Sequence, residues 1–294
     1  MSRRDPSPSV LIVGRDAEAL AGLVREGQPD ADLTLAGNAS QARDAYTGQG
    51  VVFGSPLAIA EALPHMPAVD WVQSTWAGVT PLISLDRRDY VLTGIKGVFG
   101  RQMAEYVAGY LLAHELRILH RYEEQKARRW WEGVSGSVSG KRLGIMGAGS
   151  IGADIARLCA GLGMTVSGLS RSGRAVAGFE RVLPVSRVAE FLPGLDYLVA
   201  VLPDTPGTDN LLSAETLSLL PAHALFVNVG RSNVVDDAAL VVALRGGTLG
   251  GAVLDVFDEE PIPDNSLLWD APNLLVTAHM AAVSHPDLIV PIFL

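Results

Sequence analysis

The chain has 294 residues, 48% of them hydrophobic, enough for one large or two medium cores. Its 23 basic against 32 acidic side chains give a net charge of −9, which argues against nucleic acid or an anionic membrane as the main partner, so any bound anion must be captured locally. The single cysteine, Cys159, excludes an internal disulfide framework.

In chain order, the opening "MSRRDPSPSVLIVG" carries an apolar run too short for a signal peptide, and no membrane-length apolar stretch follows. Together with the lone thiol this makes a reducing cytoplasm the expected compartment. "VLIV" (10–13), "LTLA" (33–36), "VVF" (51–53), "VDWVQS" (69–74) and "YVLT" (90–93) read as strands separated by helical patterns. Such alternation is the mark of parallel βαβ units, so the fold class is α/β, beginning with a small doubly wound domain over residues 1–98. From Gly100, Met103, Val107, Leu111, His114, Ile118 and Tyr122 step along one face of one long predicted helix. The helix runs on through "RYEEQKARRWWEG" to "VSGSVSG" (134–140), read as a flexible connection. Six further strands, "RLGIM", "TVSGLS", "YLVAVLP", "ALFVNVG", "LGGAVLDV" and "LLVTAH", predict a second, larger parallel sheet. It forms a domain spanning 99–280, with 281–294 expected to return to the first.

"GIMGAGSIGADIA" places Gly147, Gly149 and Gly152 in G-x-G-x-x-G spacing between an apolar strand and a helix. In that context the first glycine makes the turn, the second lets a pyrophosphate approach the backbone, and the third lets helix and strand pack closely. The phosphates then meet a helix N-terminus at Ser150 and Ile151, where free N–H groups favour negative charge. The next strand ends in Ser170, where a chain holding NAD(H) carries a carboxylate for the ribose hydroxyls. In its place "SRSGR" offers Ser170 and Ser172 as small donors and Arg171 and Arg174 as phosphate-binding cations. The expected cofactor is therefore NADP(H) in preference to NAD(H). Cys159, on the apolar face of the following helix, reads as a buried small hydrophobe.

Three more segments begin at strand ends of the second sheet: "NVGRSNVVDD", "LDVFDEEPIP" and "TAHMAAVSHP". Ligands of doubly wound sheets sit at this end. A 2-oxoacid needs a fixed cation for its carboxylate and carbonyl, and Arg231 has the planar donor fork for it. Hydride arriving at the carbonyl carbon places charge on oxygen, so a proton must be delivered. His279 suits that role, because an unperturbed histidine titrates at ~6.5 and a neighbouring carboxylate favours its charged form. His285 competes for this assignment, but it precedes a proline where a helix is expected to start.

With the glycine loop, these segments resemble the D-isomer-specific 2-hydroxyacid dehydrogenase family over nearly the whole chain. "GRQMAEYVAGYLL", "SIG" and "SRSGR" resemble its glyoxylate/hydroxypyruvate reductase branch. The resemblance implies a flavodoxin-like substrate domain and a Rossmann coenzyme domain. It implies Arg231 as substrate arginine, Glu260 as its acidic partner in the acid/base system, and His279 as acid/base. It further implies that Asp255 bonds the nicotinamide carboxamide, a structural cap being the other reading. Leu202, Pro203 and Thr208 of "LPDTPGT", with Val229 and Gly230, would run beside the cofactor. Trp76, Ala77 and Gly78 of "QSTWAGVTPL" would meet the substrate, the two N–H groups its carboxylate and the indole limiting its size. Crossings near Val98–Gly100 and Met280 imply domain closure on substrate, the long helix with exposed Trp130 and Trp131 implies a homodimer, and no metal is expected. The family continues past the equivalent of "VSHPDLIVPIFL" with a helix returning to the first domain, and here the chain stops at Leu294.

The expectation is thus an NADP(H)-dependent reductase of a small 2-oxoacid such as glyoxylate or hydroxypyruvate. A dinucleotide-sensing scaffold would keep the glycine loop but has no need of Arg231, Glu260 and His279. Formate-type oxidation would need an amide beside the histidine, and "TAHMAAVS" has none.

Overall fold

The computed structural model describes residues 9–294, which divide into two units, residues 9–98 with Ser284–Leu294 and Phe99–Val283. In the first unit β1 (Ser9–Val13), β2 (Asp32–Ala36), β3 (Val51–Gly54), β4 (Trp71–Ser74) and β5 (Val91–Thr93) form a parallel sheet in the order β2-β1-β3-β4-β5. This is the flavodoxin-like doubly wound order. α1 (Ala17–Gly27), α2 (Ala39–Ala45), α3 (Pro56–Ala62) and the single turn α4 (Thr80–Ile83) connect the strands. α2 starts where the Asn38 side chain accepts the Gln41 N–H at 3.0 Å, a short polar side chain satisfying an orphan amide.

In the second unit, α5 (Gly100–Glu115) and α6 (Ile118–Lys126) lead into β6 (Arg142–Met146), α7 (Ser150–Gly161), β7 (Thr165–Ser170) and β8 (Arg181–Pro184). α8 (Val188–Phe191), β9 (Tyr197–Ala200), α9 (Ala214–Leu217), β10 (Leu225–Asn228), α10 (Asp237–Arg245), β11 (Gly251–Leu254) and β12 (Leu274–Val276) follow. The parallel sheet runs β12-β11-β10-β9-β6-β7-β8, the dinucleotide-fold order with one added strand and a switch point between β6 and β9. Both faces are covered, and the strands alternate between them. Tyr197, Val199, Leu225 and Val227 join the helices α5 and α7 in one cluster, while Leu198, Ala200 and Phe226 face the other. Period-two exposure to two cores explains why these strands are apolar throughout. α5 lies so close on α7 that a side chain at Gly100 would run into Asp154.

Four expectations are corrected. The sheet has seven strands, because Arg181–Pro184 pairs with β7; as a short, proline-ended edge strand it lacks the apolar run that marks the others. The long helix breaks at Arg117, whose φ is +54°. The Glu115 carbonyl accepts the Gly136 N–H at 2.9 Å instead of continuing the helix, so Ile118 and Tyr122 leave the buried stripe and are exposed. That bond also keeps "VSGSVSG" inside the second unit, with Val138 in its core. Trp130 is 90% exposed, but Trp131 is half-buried, with the Arg121 guanidinium 4.8 Å from its ring centre and His120 edge-on.

A last helix, α11 (Pro286–Phe293), belongs to the first unit and packs on α1. Residues ahead of the point where a returning helix was expected are therefore themselves helical, with Phe293 stacked on Phe53 at 4.3 Å. His285 stands immediately before this helix. Among the described residues no helix is long and apolar enough to cross a membrane. Cys159 is buried in α7, and burial pushes its thiol up to about 12.

Candidate active site

The glycine loop leaves β6 at the switch point. Gly147 has φ +116°, and a Cβ there would meet the Val201 carbonyl oxygen at 2.9 Å. A Cβ on Gly152 would run into the Gly147 carbonyl oxygen, so the third glycine lets α7 start against the strand. Gly149 faces open space, and no side chain caps α7. The N–H groups of Ser150, Ile151 and Gly152 thus lack an intrahelical acceptor, as a phosphate cradle requires.

Beside the loop is a cleft of about 660 Å³. Gly147 and Gly149 form its base, Ser170, Arg171, Ser172 and Arg174 one wall, and Leu202, Pro203 and Thr208 the other. The arginine wall is a turn in which Ser170 Oγ accepts the Gly173 N–H at 3.0 Å, with Gly173 at φ +67°. Arg171 and Arg174 are exposed, and among the described residues no carboxylate lies within 4.0 Å of either. Among the described residues no acidic one lines the cleft. Two unpaired cations without an anion suit a phosphate. Thr208 also shapes the loop, its hydroxyl bonding the Pro203 carbonyl at 2.8 Å. Ala148, Leu169, Thr205 and Gly207, within the glycine loop, β7 and "LPDTPGT", complete the lining with Val176 and Val185, two apolar residues that carried no signal in the sequence.

Farther along the same sheet edge, β10, β11 and β12 end in register at Asn228, Leu254 and Val276. Arg231 and His279 each lie three residues beyond that row, past the ends of the two strands that flank β11. His279 Nδ1 and Glu260 Oε2 are 2.8 Å apart, and Glu260 Oε1 accepts the Phe257 N–H at 3.0 Å. The carboxylate is fixed by the backbone and in turn fixes the imidazole. His279 is half exposed, and among the described residues its Nε2 has no partner. A ring held through Nδ1 with Nε2 free can hand over a proton.

Arg231 is only partly exposed and bonds the Gly230 carbonyl through Nη1 at 2.6 Å. The turn carrying it is clamped by fully buried Asn228, which donates to the Arg231 carbonyl at 2.9 Å and accepts the Gly230 N–H at 3.1 Å. Sequence reasoning missed Asn228, although a polar residue ending an apolar strand was a usable signal. It also missed Asn233, both of whose side-chain polar atoms are buried without a partner among the described residues.

Several predicted residues do not line the cleft. Val229 is in the core, and Gly230 lies against the Leu202 backbone, where a Cβ would meet N and O at 2.8 Å. Asp255, 1% exposed, accepts from Thr277 Oγ1 at 2.6 Å and from the Met280 and Ala281 N–H groups at 2.9 Å each. Those bonds tie the segment after β12 to Asp255. Trp76, Ala77 and Gly78 lie in the first unit on the loop after β4, where the Trp76 N–H donates to Ser74 Oγ at 3.0 Å. The N–H groups of Ala77 and Gly78 have no acceptor among the described residues.

The pattern of the D-isomer specific 2-hydroxyacid dehydrogenase NAD binding domain matches residues 108–281, more than half of the chain. A crystal structure of a D-isomer specific 2-hydroxyacid dehydrogenase family protein from Aeromonas salmonicida is 37% identical, with a TM-score of 0.94, covering 98% of this chain and 93% of that one. The NADPH-dependent glyoxylate/hydroxypyruvate reductase from Sinorhizobium meliloti, solved with NADP and sulfate, is 30% identical at a TM-score of 0.82, covering 97% and 92%. Glyoxylate/hydroxypyruvate reductase A of Salmonella heidelberg is 35% identical over 188 residues, 64% of this chain and 60% of that protein. The chain thus aligns with less than two thirds of the length of the curated reductases it matches.

Proposed function

The chain belongs to the D-isomer specific 2-hydroxyacid dehydrogenase family, and from that premise we propose that it reduces a small 2-oxoacid, glyoxylate or hydroxypyruvate, to the 2-hydroxyacid with NADP(H). The Glu260–His279 pair carries this reading, a carboxylate-held imidazole at the ligand end of a dinucleotide sheet. Gly149 and the first turn of α7 would hold the pyrophosphate, and Arg171 and Arg174 the 2′-phosphate. When bound, the reduced dinucleotide supplies hydride to the carbonyl carbon.

The chain's own groups do the rest. Arg231 holds the substrate carboxylate and draws charge toward the carbonyl oxygen. Glu260 accepts from Nδ1–H and orients the ring, so that Nε2–H is delivered to the oxygen as the C–H bond forms. In the reverse direction the neutral ring takes that proton back. The N–H groups of Ala77 and Gly78 would serve the substrate carboxylate, with Trp76 setting substrate size. A homodimer formed through α5, α6 and exposed Trp130 completes the proposal, since an indole 90% exposed is an apolar liability in a monomer. A reducing cytoplasm suits the buried, unpaired thiol.

The test is an initial-rate panel of small 2-oxoacids with NADPH and with NADH, followed by loss of reduced-nicotinamide absorbance. Turnover of glyoxylate or hydroxypyruvate, faster with NADPH, is the expected result. NADPH binding with no turnover of any acid would favour a dinucleotide sensor instead.

A further inference from the structure

We propose that Tyr106, on α5, is a positioning residue for His279, acting through Thr277 and Asp255. The inference rests on the reading of His279 as the acid/base. His279 has φ +50°, a left-handed backbone that a β-carbon disfavours and that persists only where the surroundings enforce it. Asp255 enforces it. Its carbonyl accepts the His279 N–H at 2.9 Å, and its carboxylate accepts the next two, from Met280 on Oδ1 and Ala281 on Oδ2. Three consecutive amides thus converge on one buried residue.

The remaining donor to that carboxylate is Thr277, and the direction of its bonds follows from counting protons. A carboxylate only accepts, so the Thr277 hydroxyl proton points at Asp255 Oδ1, 2.6 Å away. Thr277 Oγ1 then has only lone pairs for Tyr106, and the 2.6 Å contact between the two hydroxyls is a bond donated by the phenol. The chain is polarised from Tyr106 through Thr277 to Asp255, each bond strengthening the next. Burial pushes the Tyr106 phenol well above its ordinary value, which keeps it a donor. Its ring is packed at 4.6 Å against Tyr110.

A second side chain on the same helix face fastens the other end of the segment. Gln102, four residues before Tyr106, donates to the Val283 carbonyl and accepts the Val283 N–H, each at 3.0 Å. Residues 277 and 283 are both held to α5, and the histidine lies between them. None of these groups touches a reacting atom, so their effect must run through the position of the ring.

The test uses the full chain with Tyr106→Phe, which removes one oxygen, Thr277→Val, which removes the relay hydroxyl, and Thr277→Ser, which restores it. The readouts are kcat, KM for the 2-oxoacid, NADPH affinity by fluorescence, and the His279 imidazole NMR signals, assigned by their loss in His279→Ala. Tyr106→Phe should lower kcat about threefold to tenfold and Thr277→Val about 10- to 100-fold, the scale of one lost hydrogen bond and of a carboxylate left without a donor. NADPH affinity should stay within about twofold, the imidazole signals should move in both variants, and Thr277→Ser should return them toward wild type. Unmoved imidazole signals in Tyr106→Phe and Thr277→Val would overturn the proposal, as would a kcat loss matched by an equal loss of NADPH affinity. If the wild type reduces no 2-oxoacid, the functional reading fails, while the imidazole signals still decide whether Tyr106 positions His279.

Discussion

The two edges of the seven-stranded sheet are built to opposite standards. At the amino edge, ahead of β6, β9 and β10, the charge of Asp196 is answered from three sides. Asp196 accepts from the Arg142 N–H at 2.8 Å, Lys141 at 3.2 Å and His223 at 3.0 Å, and Tyr197 donates to Glu115 at 2.5 Å. At the carboxyl edge, among the described residues, Arg171 and Arg174 have no carboxylate partner and the Asn233 amide has no partner, and His279 sits in a left-handed conformation. Asp237, at the start of α10, has its carboxyl raised to about 6, first by burial and then by Asp258 and Asp236. Local rules are kept where the sheet only has to hold together and broken where a ligand is to be met.

The sharpest way to break this contrast is at its most exposed point. His279→Ala should lower kcat by ~10² to 10⁴, the range for loss of a general acid, with NADPH affinity nearly unchanged. Steady-state rates and fluorescence titration read both, and wild-type turnover would remove His279 from the chemistry. The two aspartates give a smaller, two-signed effect. Burial alone would raise the Asp196 carboxyl, but the Arg142 amide, Lys141 and His223 outweigh it and hold it below its ordinary value. Its contribution is present above the unfolded pKa and lost as pH falls through the folded one. Asp237 is the reverse, because a raised carboxyl costs stability above pH about 6 and nothing below its unfolded value of 3.8. At pH 7.5 on the denaturation assay, Asp196→Asn should therefore destabilise by about 1–3 kcal/mol and Asp237→Asn stabilise by about 1–2 kcal/mol. The Asp237 gain should vanish below pH about 4. Equal signs for the two would erase the distinction between the edges.

How far the sequence could be read follows the same division. The α/β class, both sheets and the glycine loop were legible because each is a local pattern, an apolar run between turn residues or three glycines between strand and helix. His279 was legible as a titratable residue placed just past a strand and Glu260 through the family resemblance, and the structure pairs them at 2.8 Å. β8 escaped because "RVLP" has neither length nor a clean apolar run. The break at Arg117 escaped because its cause, the Gly136 amide on the Glu115 carbonyl, lies across a loop. Tyr106 and Thr277 are 171 positions apart, and helical periodicity tells which face Tyr106 is on but not which hydroxyl it meets. Asp255 was read with two roles open, and its three donors, 22 to 26 positions along the chain, are contacts that no local pattern shows.

The central claim is that the carboxyl edge leaves its arginines unpaired in order to hold a phosphate. The direct measurement is the dissociation constant of NADPH and of NADH, by fluorescence titration, for the wild type and for Arg171→Ala combined with Arg174→Ala. Loss of two charge-assisted bonds predicts NADPH weakened about 10- to 100-fold with NADH changed by less than about twofold. Equal weakening of both dinucleotides, or of neither, would contradict it.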